Sequence, residues 1–281
     1  MGDGLGRAGA KGGEVMSATA TTGCRPYYDH GGIAIYHGDC REVMSELASS
    51  TPSSVDLLLT DPPYGMQFAG QGAVTAKANV RADGARQGMR LVRQMLMEVG
   101  DLLNPEAHAY MFCHWESWPD FYDAASSYLK INNALIWFKD RGGMGDTDME
   151  YARDYEVILY ATNGGRRPLE GRRDGAVIEG MPPPQSQHRL HPTEKPIKLM
   201  NYLIGKSCPV GGLILDPFMG SGPALRAAKD MGRRAIGIEI EERYCEAAAK
   251  RLQQESLFVV EQAAPKVEQG DMFKAAAKVR S

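Results

Sequence analysis

LILDPFMGSGPALRAAKDMGRRAIGIEI, residues Leu213 to Ile240, reads as a strand, a glycine-rich turn, a helix and a second strand that ends in an acid. Such a unit belongs to a parallel sheet, and ligands settle where the turn leaves the carboxyl end of its strand. Gly220 and Gly222 let the backbone approach a ligand closely. Glu239, at the end of the next strand, can accept hydrogen bonds from two ribose hydroxyls. The pattern departs from the dinucleotide fingerprint, since a third glycine is absent and an acid, Asp216, precedes the turn. An anionic carboxylate there repels a pyrophosphate and suits a cationic amino-acid group. Glycines alone would less often mark a tight turn without a ligand, and Asp216 with Glu239 favour a site further.

Further upstream, VDLLLT runs into Asp61-Pro62-Pro63-Tyr64. The apolar run suits a strand buried on both faces, stopped by two prolines. An exocyclic base amine is a poor nucleophile because its lone pair is delocalised into the ring. The Asp61 carboxylate and a main-chain carbonyl held by the prolines, that of Pro62, can accept its two N–H bonds and leave the lone pair aimed at an electrophile. Tyr64 offers a flat face for a base taken out of its stack. As a bare four-residue string, the block would more often be a proline-rich turn with its tyrosine in the core.

Around these blocks the chain alternates strand and helix patterns, with few hairpin signals. IAIYHGD, AHAYMFC, ALIWFKD and YEVILYAT read as strands; REVMSELA, MRLVRQMLMEVGDLL and ERYCEAAAKRLQQE read as helices, the first with Val43, Met44 and Leu47 inward. The alternation predicts a mostly parallel sheet with helices on both faces. Residues 1–24 hold almost no large apolar side chain and read as a mobile tail, leaving 25–281 as one domain; the Lys- and Ala-rich C-terminus reads as fraying. Residues 66–93 read as a long basic loop, and 163–190, with its Gly-Gly, Arg-Arg and Pro-Pro-Pro runs, as irregular structure.

Composition bounds the function. A hydrophobic fraction of 43% and a charged fraction of 24% over 281 residues suit a globular chain with a sizeable core. No run of about 18 uncharged apolar residues occurs and no secretory h-region opens the chain, which predicts a cytoplasmic protein without a membrane partner. Five scattered cysteines, without a CxxC or Cys/His cluster, predict reduced thiols and no metal. The net charge of −3 does not advertise a nucleic-acid binder, but basic charge is local. Met66 to Gly100 carries five basic residues against two acidic, and Asn163 to His191 five against three. Lys77, Arg81, Arg86, Arg166, Arg167, Arg172 and Arg173 are the candidate nucleic-acid contacts, although on charge alone ordinary solvated loops read equally well. His114, Trp115, Trp118 and the Met-rich RQMLMEV stretch are expected to be packing residues.

The ordered set YHGDCREVMSEL, VDLLLTDPPYG, ALIWFKD, HPTEKP, LDPFMGSG and IGIEIEERYCEAAAKRL resembles the beta class of amino-group DNA methyltransferases, over about residues 32–252. The resemblance implies an α/β class I fold dependent on S-adenosylmethionine (SAM), with a seven-stranded, mostly parallel sheet and a circularly permuted motif order. It also implies methyl transfer to the exocyclic amine of a flipped base in double-stranded DNA, adenine N6 before cytosine N4 because Asp61 stands where the cytosine enzymes more often carry Ser. Carried over by position, Asp61, Pro62, Pro63 and Tyr64 are catalytic. Asp216, Phe218, Gly220, Ser221 and Gly222 hold the methionine side of the cofactor, Glu239 the ribose, and Asp39 with Cys40 the adenine end. Thr193 and Lys195 belong to the block that reaches the cofactor carboxylate. Pro223 replaces the usual Thr, which suits a helix start but removes a hydroxyl. The segment 163–190 becomes the expected target-recognition element, short enough to predict a short recognition sequence or weak selectivity. The resemblance is compatible with a homodimer and a cognate restriction endonuclease. Protein glutamine methylation and a catalytically silent SAM- and DNA-binding regulator are the remaining alternatives; motif order disfavours the first, and the intact Asp61 and Tyr64 the second.

Overall fold

The computed structural model describes residues 24–63, 77–139, 151–152, 154–185 and 194–254, with the backbone alone at 77–85. Within them, β1 (Tyr28–His30), β2 (Ile33–His37), α1 (Cys40–Ser50), β3 (Val55–Thr60), α2 (Lys77–Val99) and β4 (Leu103–Cys113) come first. A 3-10 turn (Trp115–Ser117), α3 (Trp118–Ser126), β5 (Lys130–Phe138), β6 (Tyr155–Thr162) and β7 (Val177–Ile178) follow. The chain continues with α4 (Ile197–Ser207), β8 (Leu213–Asp216), α5 (Pro223–Asp230), β9 (Arg234–Glu239) and α6 (Glu242–Gln253). All nine strands form one sheet in the order β1-β2-β9-β8-β3-β4-β6-β5-β7.

The block from β2 to β4 is parallel throughout, β6 runs antiparallel between β4 and β5, and β1 and β7 are short additions at the two edges. The seven-stranded expectation is thus met by β2 to β6 with β8 and β9, and corrected to nine by the two edge strands. Their runs of three and two residues are too short to read from periodicity.

Side-chain alternation explains why β3 is apolar from Leu57 to Leu59. Leu58 packs with Val43, Met44, Val92, Leu96 and Phe121 on one face, under α1 to α3. Leu57 and Leu59 pack with Leu199, Leu203, Leu225, Cys245 and Leu252 on the other, under α4 to α6. A strand covered on both faces has no polar side to display.

Helix α2 corrects a second expectation. Its backbone is helical from Lys77, so most of the basic stretch expected to be a loop is helix. Ala, Arg, Gln and Met are strong helix formers, and here they outweigh Gly84 and Gly88 and the weak apolar periodicity before Met89. The terminal tails, residues 66–76 of the expected loop and residues 186–190 of the expected recognition segment lie outside the described residues. No helix among the described residues is long and apolar enough to cross a membrane.

Candidate active site

The sheet brings together acids that lie far apart in the chain. β8 pairs with β3 in parallel, Leu58 opposite Leu215, so Asp216 at the end of β8 lies beside Thr60 and Asp61 at the end of β3. β9 pairs with β8 on the other side, and His37 of β2 lies opposite Glu239. Asp39, Glu239, Asp216 and Asp61 therefore line one edge, the carboxyl end of four adjacent parallel strands. This is where an open α/β sheet holds its ligand.

The glycine turn after β8 is built for close approach. Gly220 and Gly222 have φ of 52° and 73°, in the left-handed region that glycine enters without strain. A Cβ on Gly222 would stand 2.9 Å from the Cβ of Ala248 on α6. The Gly220 N–H donates to Glu239 Oε2 at 3.0 Å and the Glu241 N–H to Oε1 at 2.8 Å, which fixes the carboxylate at the edge. Burial raises the Glu239 pKa above the ordinary carboxylate range, against these two amides. Asp216 is deeply buried and accepts from the Phe218 N–H at 3.2 Å. Desolvation pushes its pKa up to about 7, with the neighbouring Asp61 and Glu239 adding to the rise. Among the described residues no basic side chain pairs with Asp216 or Glu239. A buried carboxylate in that position fits a cationic ligand, and the α-ammonium and sulfonium of SAM are cations of this kind.

Asp39 caps α1, accepting from the Arg41 N–H at 2.9 Å and ion-pairing with the Arg41 guanidinium at 2.5 Å. Those bonds hold its pKa below the usual carboxylate value. Cys40 is buried, and desolvation pushes its thiol up to about 12. Pro223 occupies the first turn of α5, where its missing N–H costs nothing.

Lys195 is the least expected part of the site. Its ammonium sits 2.5 Å from Asp61 Oδ2, 3.1 Å from Glu156 Oε2 and 4.9 Å from the centre of the Phe112 ring. Burial opposes its charge, but the two carboxylates outweigh burial and hold its pKa above the ordinary lysine value. Sequence reasoning assigned Lys195 to the cofactor carboxylate; the structure places its ammonium on Asp61. Glu156, on β6, also meets Lys139 at 3.0 Å, and burial is outweighed there by its two lysines, so its pKa lies below normal. Nothing in YEVILYAT marks an acid aimed at a lysine about 40 positions away; only the placement of β6 beside β4 shows it. Ser221, also expected at the cofactor, gives its hydroxyl to Glu194 Oε2 at 2.8 Å, while Arg251 holds Glu194 Oε1 at 2.7 Å. This bridge ties the residue before Lys195 to the glycine turn.

Of the other expected site residues, Tyr64 and Thr193 lie outside the described residues, as do the side chains of Lys77 and Arg81. Arg86, Arg166, Arg172 and Arg173 are exposed. Arg167 is corrected outright. Its guanidinium holds Asp56 Oδ1 at 3.2 Å, the Asp56 carbonyl at 2.6 Å and the Ser207 carbonyl at 2.7 Å. Asp56 lies at the start of β3, so Arg167 clamps the end of the sheet opposite Asp61.

A doubly covered sheet of this strand order, with an acidic carboxyl edge and a glycine turn opening α5, defines a class I SAM-dependent methyltransferase. The family model for DNA methylases of the N6/N4 type matches residues 55–250, and the chain belongs to that family. Its relatives include the type II methyltransferase M2.DpnII of Streptococcus pneumoniae, 25% identical over 83% of this chain and 94% of that protein. The DNA adenine methyltransferase YhdJ of Escherichia coli K12 is 26% identical over 86% of this chain and 90% of its own length. Among solved structures, the M1.HpyAVI–SAM complex superposes with a TM-score of 0.61 at 24% identity, covering 79% of this chain and all of that one. The cytosine-N4-specific PvuII DNA methyltransferase superposes with a TM-score of 0.65 at 15% identity, covering 84% and 92%.

Proposed function

We propose that this SAM-dependent DNA methylase modifies adenine N6 in a base extruded from double-stranded DNA. The observation that carries the reading is the adjacency of Asp61, at the end of β3, to Asp216 and the glycine turn after β8. A target amine accepted by Asp61 and the Pro62 carbonyl would lie next to a cation seated on Asp216 and Glu239. SAM supplies the sulfonium-bound methyl. The protein's part is positional: Asp61 takes one N–H, the Pro62 carbonyl the other, and the amine lone pair turns toward the methyl carbon. The proton released after transfer leaves through Asp61 or water. Asp216, Phe218, Gly220, Gly222, Glu239, Asp39 and Cys40 form the proposed cofactor cradle, with Asp39 serving through its position at the head of α1.

Adenine is favoured by the Asp at position 61 and by relatives named as adenine enzymes. The resemblance to the cytosine-N4 enzyme concerns the fold. Mass spectrometry of DNA from cells that lack other methylation and express this chain should show N6-methyladenine; N4-methylcytosine in its place would overturn the adenine reading. Asp61→Ala should abolish modification while SAM binding persists.

A further inference from the structure

Four charges alternate along the catalytic end of the sheet: Asp61 after β3, Lys195 before α4, Glu156 on β6 and Lys139 just after β5. Lys195 is the centre of this row. It is buried, and two carboxylates share its single ammonium. The shorter contact, 2.5 Å, is to the carboxylate that must receive the target amine. A carboxylate held by an ammonium is a poorer acceptor for a weakly acidic N–H, because part of its charge is already neutralised. Productive binding of the base therefore asks Lys195 to loosen its grip on Asp61 while remaining buried, and a buried ammonium that leaves one anion needs another within reach. Glu156 is that anion. Lys139, on its far oxygen at 3.0 Å, keeps Glu156 ionised when Lys195 is elsewhere.

We propose that Glu156 is a positioning residue that receives the Lys195 ammonium when the target amine reaches Asp61, so that Asp61 meets the base as a full carboxylate. The inference rests on the reading of Asp61 as the amine's acceptor. Glu156 itself touches neither base nor cofactor and acts through Lys195. The groups facing Lys195 are Asp61 from the end of β3, Glu156 from β6 and the Phe112 ring from β4, with Lys139 behind Glu156. Cys113 on β4 and Asp216 on β8 lie within electrostatic reach of Asp61.

The test is a double-mutant cycle on the full chain, reading steady-state kcat and KM on duplex DNA, SAM affinity by calorimetry, and thermal melting as a check on folding. Glu156→Gln should lower kcat at least tenfold with SAM affinity within twofold of the parent, and Glu156→Asp should recover most of kcat. In a Lys195→Met background no ammonium competes for Asp61, so Glu156→Gln should cost less than twofold more. Glu156→Gln also leaves Lys195 with one carboxylate in place of two, which makes its proton easier to lose; the kcat deficit should therefore shrink as pH rises from 7 to 10. An unchanged kcat in Glu156→Gln, an equal loss with and without Lys195, or a deficit independent of pH overturns the proposal. Asp61→Ala, which removes the acceptor, separates the two readings when run beside these: if it still methylates, the Asp61 assignment falls; if it is dead while Glu156→Gln is unimpaired, only the role of Glu156 falls.

Discussion

Asp216 is a buried acid whose charge the fold opposes. Its folded pKa, about 7, lies above the ordinary 3.8, and desolvation is the main cause. The folded state therefore holds this proton more tightly than the unfolded chain. The group's contribution to stability is fully present below about pH 4 and is lost as pH rises through about 7. Asp216→Asn removes a charge that burial opposes, so at pH 8 it should raise the melting temperature of the ligand-free protein, by the equivalent of roughly 2–4 kcal/mol. The same change deletes the proposed partner of the cofactor's ammonium and should weaken SAM binding at least tenfold. In the parent, SAM affinity should fall about tenfold per pH unit below about 7, as the empty site takes up its proton. Calorimetry between pH 5.5 and 8.5 checks both, and an affinity flat across that range would remove Asp216 from the cofactor site. The acid was legible in the sequence, standing ahead of a glycine turn at the end of an apolar strand. Glu156 and Lys195, which meet beside Asp61, were not legible as partners, because a strand residue and a loop residue meet only through sheet order.

At the scale of elements, the strand and helix alternation announced the parallel block, and the inward residues Val43, Met44 and Leu47 of α1 are buried as their spacing requires. What periodicity could not show was the place of β6 between β4 and β5, since an antiparallel insertion leaves the same apolar pattern as a parallel neighbour. The first turns of α2 were missed for a related reason: a helix start whose sequence lacks apolar periodicity rests on propensity, which gives a weak signal beside two glycines. The turn into α5 was read correctly, and it yields a quantitative expectation. Gly222→Ala must hold an L-residue at φ 73° and place its Cβ 2.9 Å from Ala248 on the adjacent helix. The backbone term costs about 1–2 kcal/mol, and the clash costs about 1–3 kcal/mol more. Gly31→Ala, at φ 61° in the β1–β2 turn with nothing within 4 Å, should show the backbone term alone. Denaturant unfolding of the two variants should differ accordingly, and only Gly222→Ala should also impair SAM binding; equal destabilisation would mean that α6 moves aside freely.

Across the whole molecule, the two ends of the sheet divide the labour, and the arginines follow that division. At the end away from Asp61, Arg167 joins Asp56 to the Ser207 carbonyl, while Asp56 also accepts from Asn104 at 2.6 Å and from the Leu213 N–H at 2.9 Å. His108 and Tyr110 complete this buried network through the Ser207 hydroxyl, each at 2.8 Å. From there the 163–185 segment climbs along the outer edge, pairing β7 with β5 and fixing the Met181 carbonyl on the Trp137 indole N–H at 2.9 Å. Among its described residues only those from Val177 onward approach the Asp61 end, so that part of the segment is the better candidate for reading bases. On the opposite face, α2 begins near the catalytic edge, and Arg41 reaches it through Gln94 at 2.8 Å, leaving Arg86 and Arg90 exposed on a basic surface beside the site. DNA lying across that edge would meet these two side chains and not Arg167. Replacing both Arg86 and Arg90 by Ala should reduce the slope of log affinity against log salt on duplex DNA by about 2, with melting nearly unchanged. Arg167→Ala should leave the slope alone and instead cost about 3 kcal/mol of stability, because it strips the charged partner from a largely buried Asp56. A salt slope altered by Arg167→Ala and untouched by the α2 pair would place the DNA on the other end of the sheet, away from the acid edge that the catalytic reading requires.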